Sequence, residues 1–266
     1  MGRLSMLVFV LLAALLPLSA RAQDPESLEA DVSTRSVSIT STYSGTEILI
    51  FGTVENSRQS SAEAGEYEIV ATVEGQPLPL SVRHKSDVGG LWINTRSIRF
   101  SAVPSYYGIA TTRPLDEIAE PDVLETYQIG FTNMRMVPWG SARWAPTGSD
   151  EEADYRSAVI RLKKRDGLFV KSDHGVVFRG KSLFRATISL PPNVPVGPLT
   201  TRLYLFKDGK LLSQYKSEVV LERTGLERFL YHSADTAPFL YGLSTVLIAG
   251  IFGLVASFLF RRSSAG

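Results

Sequence analysis

The chain has 266 residues, no cysteine and a formal net charge of +1. Without cysteine there are no disulfides, no thiol catalysis, no zinc–cysteine site and no iron–sulfur cluster. Setting aside Arg3 and Arg21 near one end and Arg261 and Arg262 near the other leaves 28 − 4 = 24 basic residues against 27 acidic ones, a net of −3 that argues against nucleic acid as a partner.

The first 22 residues read as a secretory signal. Arg3 supplies a positive start, Met6 to Leu16 an apolar stretch too short to span comfortably, and Ala20-Arg21-Ala22 a small-x-small cleavage site. Cleavage after Ala22 is expected, the alternative being an uncleaved N-terminal anchor.

Next comes a strand-like region, Leu28 to about Arg113. Ser36 to Thr42 alternates, and Glu47 to Gly52 is a continuous apolar run, as in a buried strand. Glu66 to Glu74 alternates with Tyr67, Ile69, Ala71 and Val73 on one face, and Leu78 to His84 alternates again. Leu91–Asn94, Ile98–Val103 and Tyr106–Thr111 are further candidates. Short strands at this spacing predict an antiparallel β-sandwich, immunoglobulin-like in architecture, over 23–115.

Residues 116–148 read as a connector. Pro114 to Thr126 is acidic and helix-prone, Gln128 to Val137 adds a candidate strand, and Trp139 and Trp144 anchor an irregular stretch. A helix follows. Ser149 and Glu152 form a capping box, Tyr155, Ala158, Val159 and Leu162 share a face, and Gly167 stops it. Leu168 to Glu222 is strand-like again, with a hairpin turn at Asp208-Gly209. The expected second domain is therefore a second, small immunoglobulin-like β-sandwich over 149–225 carrying this helix, followed by a juxtamembrane segment at 226–236.

The 24 residues from Ala237 to Phe260 carry no charge. At about 1.5 Å per residue they make a helix of roughly 36 Å, enough for a hydrocarbon core of about 30 Å. With a signal before it and Arg261-Arg262 after it, the segment reads as a stop-transfer anchor. It puts the ectodomain in the periplasm, a single pass in the inner membrane, and a short tail (261–266) in the cytoplasm. A glycolipid-anchor signal is the competing reading of this apolar run, and the Arg pair after it and the bacterial look of the signal argue against it.

Chemistry is sparse. His84, His174 and His232 are isolated, and no nucleophile, phosphate-loop or metal-ligand motif occurs. No cofactor, metal or catalytic residue is expected. Two stretches are candidates for an aromatic contact surface, Val88–Asn94 and Val103–Gly108, with Trp92, Tyr106 and Tyr107 as the partner-contact residues. The competing reading puts Trp92 in the sandwich core and the tyrosines at a strand end. In the span, Thr245, Ala249, Gly253 and Ser257 recur every fourth residue, a helix-packing stripe toward a membrane-protein partner.

Phe51-Gly-Thr-Val54, Arg83-His-Lys85, Gly90-Leu-Trp-Ile-Asn94, Phe100-x-x-Val-Pro-Ser-Tyr-Tyr107 and Arg113-Pro-Leu115 together resemble an uncharacterised family of alphaproteobacterial single-pass transmembrane proteins of about this length. The likeness runs through the signal and the span. It implies no catalytic residue. It does imply an accessory role beside an inner-membrane transporter, a sulfite-exporter-like permease. Three functions follow as expectations. The first is a membrane-anchored periplasmic binding or accessory module. The alternatives are a periplasmic enzyme with an unrecognised site and an envelope structural or adhesion protein.

Overall fold

The computed structural model describes residues 25–40, 42–139, 150–224 and 226–261. The expected signal, Trp144, the Ser149 cap and residues 262–266 lie outside them. The architecture is mainly β, with helices at the middle and the C-terminal end.

Two sheets carry the body. One has the order β1 (Ser27–Val32), β3 (Thr46–Glu55), β11 (Leu183–Leu190), β10 (Val176–Arg179), all antiparallel. The other has the order β2 (Ser36–Ile39), β13 (Lys210–Arg223), β12 (Gly197–Lys207), β4 (Glu68–Gly75), β7 (Tyr107–Thr111), β9 (Phe169–Ser172). Its outer pairs β2–β13 and β7–β9 are parallel, the inner ones antiparallel. Alternation decides what each strand buries. In β3, Ile48, Ile50, Gly52 and Val54 turn inward, and in β4, Ile69, Ala71 and Val73 do so opposite them. The apolar faces of the two sheets close one core, which includes Phe184, Ile188, Leu203 and Leu205.

This pairing corrects the division into two sandwiches at 23–115 and 149–225. β3 is hydrogen-bonded to β11 and β4 to β12, so strands from both stretches build the same two sheets. Each stretch carries apolar faces that only the other can cover. The candidate strand over 128–137 is also not formed, apart from Val137–Pro138 (β8), which pairs with Phe100 and Ala102. Arg156 takes its carbonyls instead, donating to Met134 O and Met136 O at 3.0 Å each.

A second core lies on the outer face of the six-stranded sheet. Short helices α1 (Leu115–Ile118) and α2 (Pro121–Thr126) and the 16-residue helix α3 (Asp150–Arg165) cover it, using Ile118, Leu124, Tyr155 and Val159, and Met134 from the segment after α2 joins them. In α3, Tyr155 and Val159 are buried, whereas Leu162 is exposed.

The third sheet positions the candidate site. Strands β5 (Pro77–Val88) and β6 (Leu91–Pro104) form one long hairpin, in which the two strands expected at 91–94 and 98–103 are a single one. Its ladder continues that of β4–β7. Glu74 faces Tyr107, Gly75 N–H donates to Tyr106 O at 2.8 Å, Ser105 N–H donates to Gln76 O at 3.1 Å, and Pro77 faces Pro104. The ribbon thus leaves the sheet at the end where Gly75 lies opposite Leu199 and Leu199 opposite Val219. β13 runs out at that same end, into α4 (Leu226–Thr236) and the apolar helix α5 (Pro238–Arg261). Pro238 stands at the first turn of α5, where its missing N–H costs nothing.

Candidate functional site

The three aromatic residues expected to form one contact surface are not together. Tyr106 is 0% exposed and Tyr107 is 3% exposed. Tyr106 points between the two main sheets and donates from its hydroxyl to Ser189 O at 2.7 Å. Tyr107 points to the opposite face, edge-on to Phe131 at 5.9 Å and Phe169 at 6.2 Å. Adjacent residues of a strand face opposite ways, so the pair could not have formed one surface. Burial raises both hydroxyls well above the ordinary value of 10.0. Trp92 alone is exposed, at 70%, which also excludes it from the sandwich core.

Trp92 belongs to a different group. Gly89 and Gly90, with φ of 66° and 87°, make the two-residue turn between β5 and β6, a left-handed pair that glycine adopts without a Cβ penalty. Around it Val88 faces Leu91, Asp87 faces Trp92, and Ser86 faces Ile93. Val88, Leu91 and Ile93 therefore lie on one face of the ribbon tip and Trp92 on the other. All four are exposed. Asp87 Oδ1 accepts from Gly90 N–H at 2.7 Å and holds the turn.

Below the tip the ribbon turns basic. A cleft of about 750 Å³ separates it from α3, lined by Arg83, His84, Lys85, Arg96 and Arg161 with Asp154 as the acid. Among the described residues no carboxylate lies within ion-pair distance of Arg83, Lys85 or Arg161. Ser86 and Thr95 hydroxyls lie 2.7 Å apart on its wall. Lys163, at the far end of α3, donates to Ser105 O at 3.2 Å, and burial lowers its pKa. That contact ties α3 to the base of the ribbon, so the cleft has a fixed floor.

A smaller polar cavity of about 110 Å³ touches Glu74, Tyr107, Arg202 and Tyr204. Arg202 Nη1 meets Glu74 Oε2 there at 2.5 Å, and Arg135 also lines the space. Burial raises the Tyr204 hydroxyl. The space suits a few water molecules.

The histidines do not converge. His84 lines the cleft, His174 sits in the β9–β10 turn with Nδ1 2.9 Å from Thr112 O, and His232 is on α4. Among the described residues, no three of His, Asp and Glu gather as a metal site would need. Trp139 is exposed, with the Arg99 guanidinium 5.7 Å from its ring centroid.

On α5, Thr245, Ala249, Gly253 and Ser257 are all exposed. The Thr245 hydroxyl donates within its own helix, to Tyr241 O at 2.6 Å, so it is not held free for a neighbour. α5 is the one helix among the described residues long and apolar enough to cross a membrane.

A family model described as "Putative transmembrane protein (Alph_Pro_TM)" matches residues 27–262. The chain belongs to this family. It is a membrane protein with a single C-terminal candidate span. Among curated proteins none matches. Among solved structures the chain is similar to AggA, the major subunit of aggregative adherence fimbriae type I from Escherichia coli. Identity is 8%, over 76% of this chain and 97% of that one, with a TM-score of 0.26. A likeness that loose carries no argument.

Several residues of the motifs that resemble the family have structural roles. A Cβ at Gly52 would collide with the Phe184 ring, which faces it across the β3–β11 ladder. Arg113 holds buried Glu68 at 2.6 Å, and the Thr112 hydroxyl donates to the same carboxylate. Only the Arg83–Lys85 and Gly90–Asn94 motifs reach the exposed ribbon. Leu91 and Ile93 are exposed beside Trp92, and the sequence reading did not single them out. The signal available was an uninterrupted apolar run, Leu91-Trp-Ile93, where a half-buried strand would alternate.

Proposed function

We propose that the protein is a membrane-anchored periplasmic accessory module that serves an inner-membrane protein partner, with no catalytic role of its own. The observation that carries it is the cationic cleft between the β5–β6 ribbon and α3, on the end of the domain from which the chain leaves for the span. Arg161 there has no carboxylate partner among the described residues, so an acidic segment of a partner gains a charge-assisted hydrogen bond at low desolvation cost. The body is read as an immunoglobulin-like sandwich. What supports this is the strand order: β1-β3-β11-β10 corresponds to A-B-E-D, and β4, β12 and β13 to C, F and G. Such a sandwich is a rigid platform, and binding elements on it belong to projecting loops and hairpins. The signal and the Arg261-Arg262 pair support the periplasmic orientation. The resemblance supports a transporter, of the sulfite-exporter-like kind, as the partner.

The test is affinity purification of the intact protein from membranes, with identification of what accompanies it. It is repeated with the span replaced by polyleucine and with Arg161→Glu. A membrane protein that accompanies the wild type and is depleted by Arg161→Glu supports the reading. An identical set in all three preparations overturns it.

A further inference from the structure

The exposed apolar tip of the ribbon has no cover within the chain, and its position says what lies next to it. The ribbon prolongs the β4–β7 ladder past the end of the six-stranded sheet, and β13 runs parallel to β4 toward that same end. The twelve residues of β5 span about 40 Å at about 3.3 Å per residue. On the anchor's side β13 runs four residues past the level of Gly75, Val220 to Arg223, about 13 Å, and the eleven residues of α4 cover about 16 Å, about 29 Å together. An element that leaves on the anchor's side and is longer than the linker to the anchor comes to the bilayer surface.

Its chemistry fits that surface. Val88, Leu91 and Ile93 cover one face of the tip and Trp92 the other. Trp is the side chain that settles at the headgroup level of membranes, with an apolar ring and one N–H donor. Arg83 and Lys85 stand on the stem, on the same face as Trp92 by strand alternation, several residues back from the tip. Long cationic side chains placed behind an apolar wedge reach lipid phosphates while the wedge sits deeper. The single acid at the tip, Asp87, spends its carboxylate on the Gly90 N–H. α4 adds a second apolar stretch on the same side, with Phe229, Leu230 and Tyr231 exposed.

We propose that the β5–β6 ribbon is a second membrane contact. Val88, Leu91, Trp92 and Ile93 insert into the interfacial layer of the anionic bilayer that α5 crosses, and Arg83 and Lys85 bind its phosphates. The tether makes this insertion intramolecular, so four apolar side chains suffice where a free domain would need more. Held at both the span and the tip, the domain cannot swivel, and the cleft between ribbon and α3 faces the membrane-proximal surface of a neighbouring protein. The inference rests on α5 being a true span.

The absence of cysteine makes the experiment direct. The full-length chain carrying Leu91→Cys is labelled with an environment-sensitive fluorophore. It is reconstituted into vesicles of phosphatidylethanolamine and phosphatidylglycerol, and in parallel into phosphatidylcholine alone. Lys210→Cys, at the opposite end of the sheet beside the Asp208-Gly209 turn, is the control. The label at 91 is expected to shift to the blue in the anionic vesicles, to be quenched by headgroup-depth nitroxide lipids, and to resist aqueous iodide. The label at 210 stays open to iodide. Trp92→Asp lowers the ratio of inserted to exposed label by about tenfold or more. Arg83→Glu with Lys85→Glu gives the behaviour seen in phosphatidylcholine, a weakened insertion. A label at 91 open to iodide in anionic vesicles, with the chain still retained after an alkaline wash, overturns the inference and leaves the anchor standing. Loss of the chain in that wash overturns the anchor and the inference together. A label shielded only when solubilised membrane proteins are added means that the tip enters a protein groove, and also overturns it.

Discussion

The two ends of the β5–β6 ribbon follow opposite rules. Near its base Val82, Phe100 and Val103 are buried against α3 and the outer face of the six-stranded sheet. There one face of each strand is apolar and the other polar, as covering on one side demands. At the tip, six residues away, Leu91, Trp92 and Ile93 follow one another without alternation and stay exposed on both faces. The same pair of strands passes from a packed element to an unpacked one across a register shift between His84 and Lys85. An apolar side chain is therefore packed at one end and uncovered within the chain at the other.

That contrast makes quantitative demands. The largest effect belongs to the packed end. Phe100→Ala or Phe184→Ala removes a fully buried ring, and each is expected to cost about 4 kcal/mol. Thermal unfolding in detergent should move down by about 10 °C. A shift below 2–3 °C would mean that these rings are not core, by that same scale. Next is Arg113→Ala, which strands the buried Glu68 carboxylate and is expected to cost about 3 kcal/mol. Adding Glu68→Gln should restore part of that loss, and a double variant no better than the single one would break the pairing argument.

Gly52→Ala drives a methyl group into the Phe184 ring and is expected to cost about 2 kcal/mol. Combined with Phe184→Leu it should cost less than the sum. Alkaline titration probes the same packed region. The Tyr106 and Tyr107 hydroxyls have folded pKa values raised by burial, whereas an unfolded tyrosine ionises near 10. Above about pH 10 the unfolded chain therefore holds fewer protons, and stability falls as pH rises. Phenolate absorbance at high pH should show these two groups ionising only together with loss of structure. Smooth titration of all ten tyrosines in a folded chain would contradict their placement. The smallest effect belongs to the exposed end. Leu91→Ala or Trp92→Ala should change stability by less than about 0.5 kcal/mol, while still altering attachment of the tip.

The family motifs divide along the same line. Phe51–Val54 and Arg113–Leu115 maintain the fold, through the Gly52–Phe184 contact and the Arg113–Glu68 pair. Gly90–Asn94 makes the turn and the exposed tip. A stretch can look specific for either reason, and sequence alone does not separate them. Tyr106 and Tyr107 show this: Pro-Ser-Tyr-Tyr reads as a recognition motif and proves to be two core residues turned to opposite faces of the six-stranded sheet.

What the sequence determined by itself is whatever depends on nearest neighbours. Strand periodicity located β3, β4, β12 and β13, the Asp208-Gly209 turn joined the last two, and α3 formed where its apolar face recurred. The uncharged stretch from Ala237 to Phe260 became α5 for a reason that needs no tertiary partner: length and apolarity are enough. Even the opposed facing of Tyr106 and Tyr107 was implied by the two-residue period of a strand. Only the tertiary structure decided which strands meet. β3 pairs with β11 and β4 with β12 across more than a hundred residues. Periodicity says that a face is apolar and does not say which distant face covers it. For the same reason the exposure of Trp92 was not legible. A continuous apolar run signals burial when a partner sheet is present, and the ribbon carries this one past the end of the sheet, where the chain offers none.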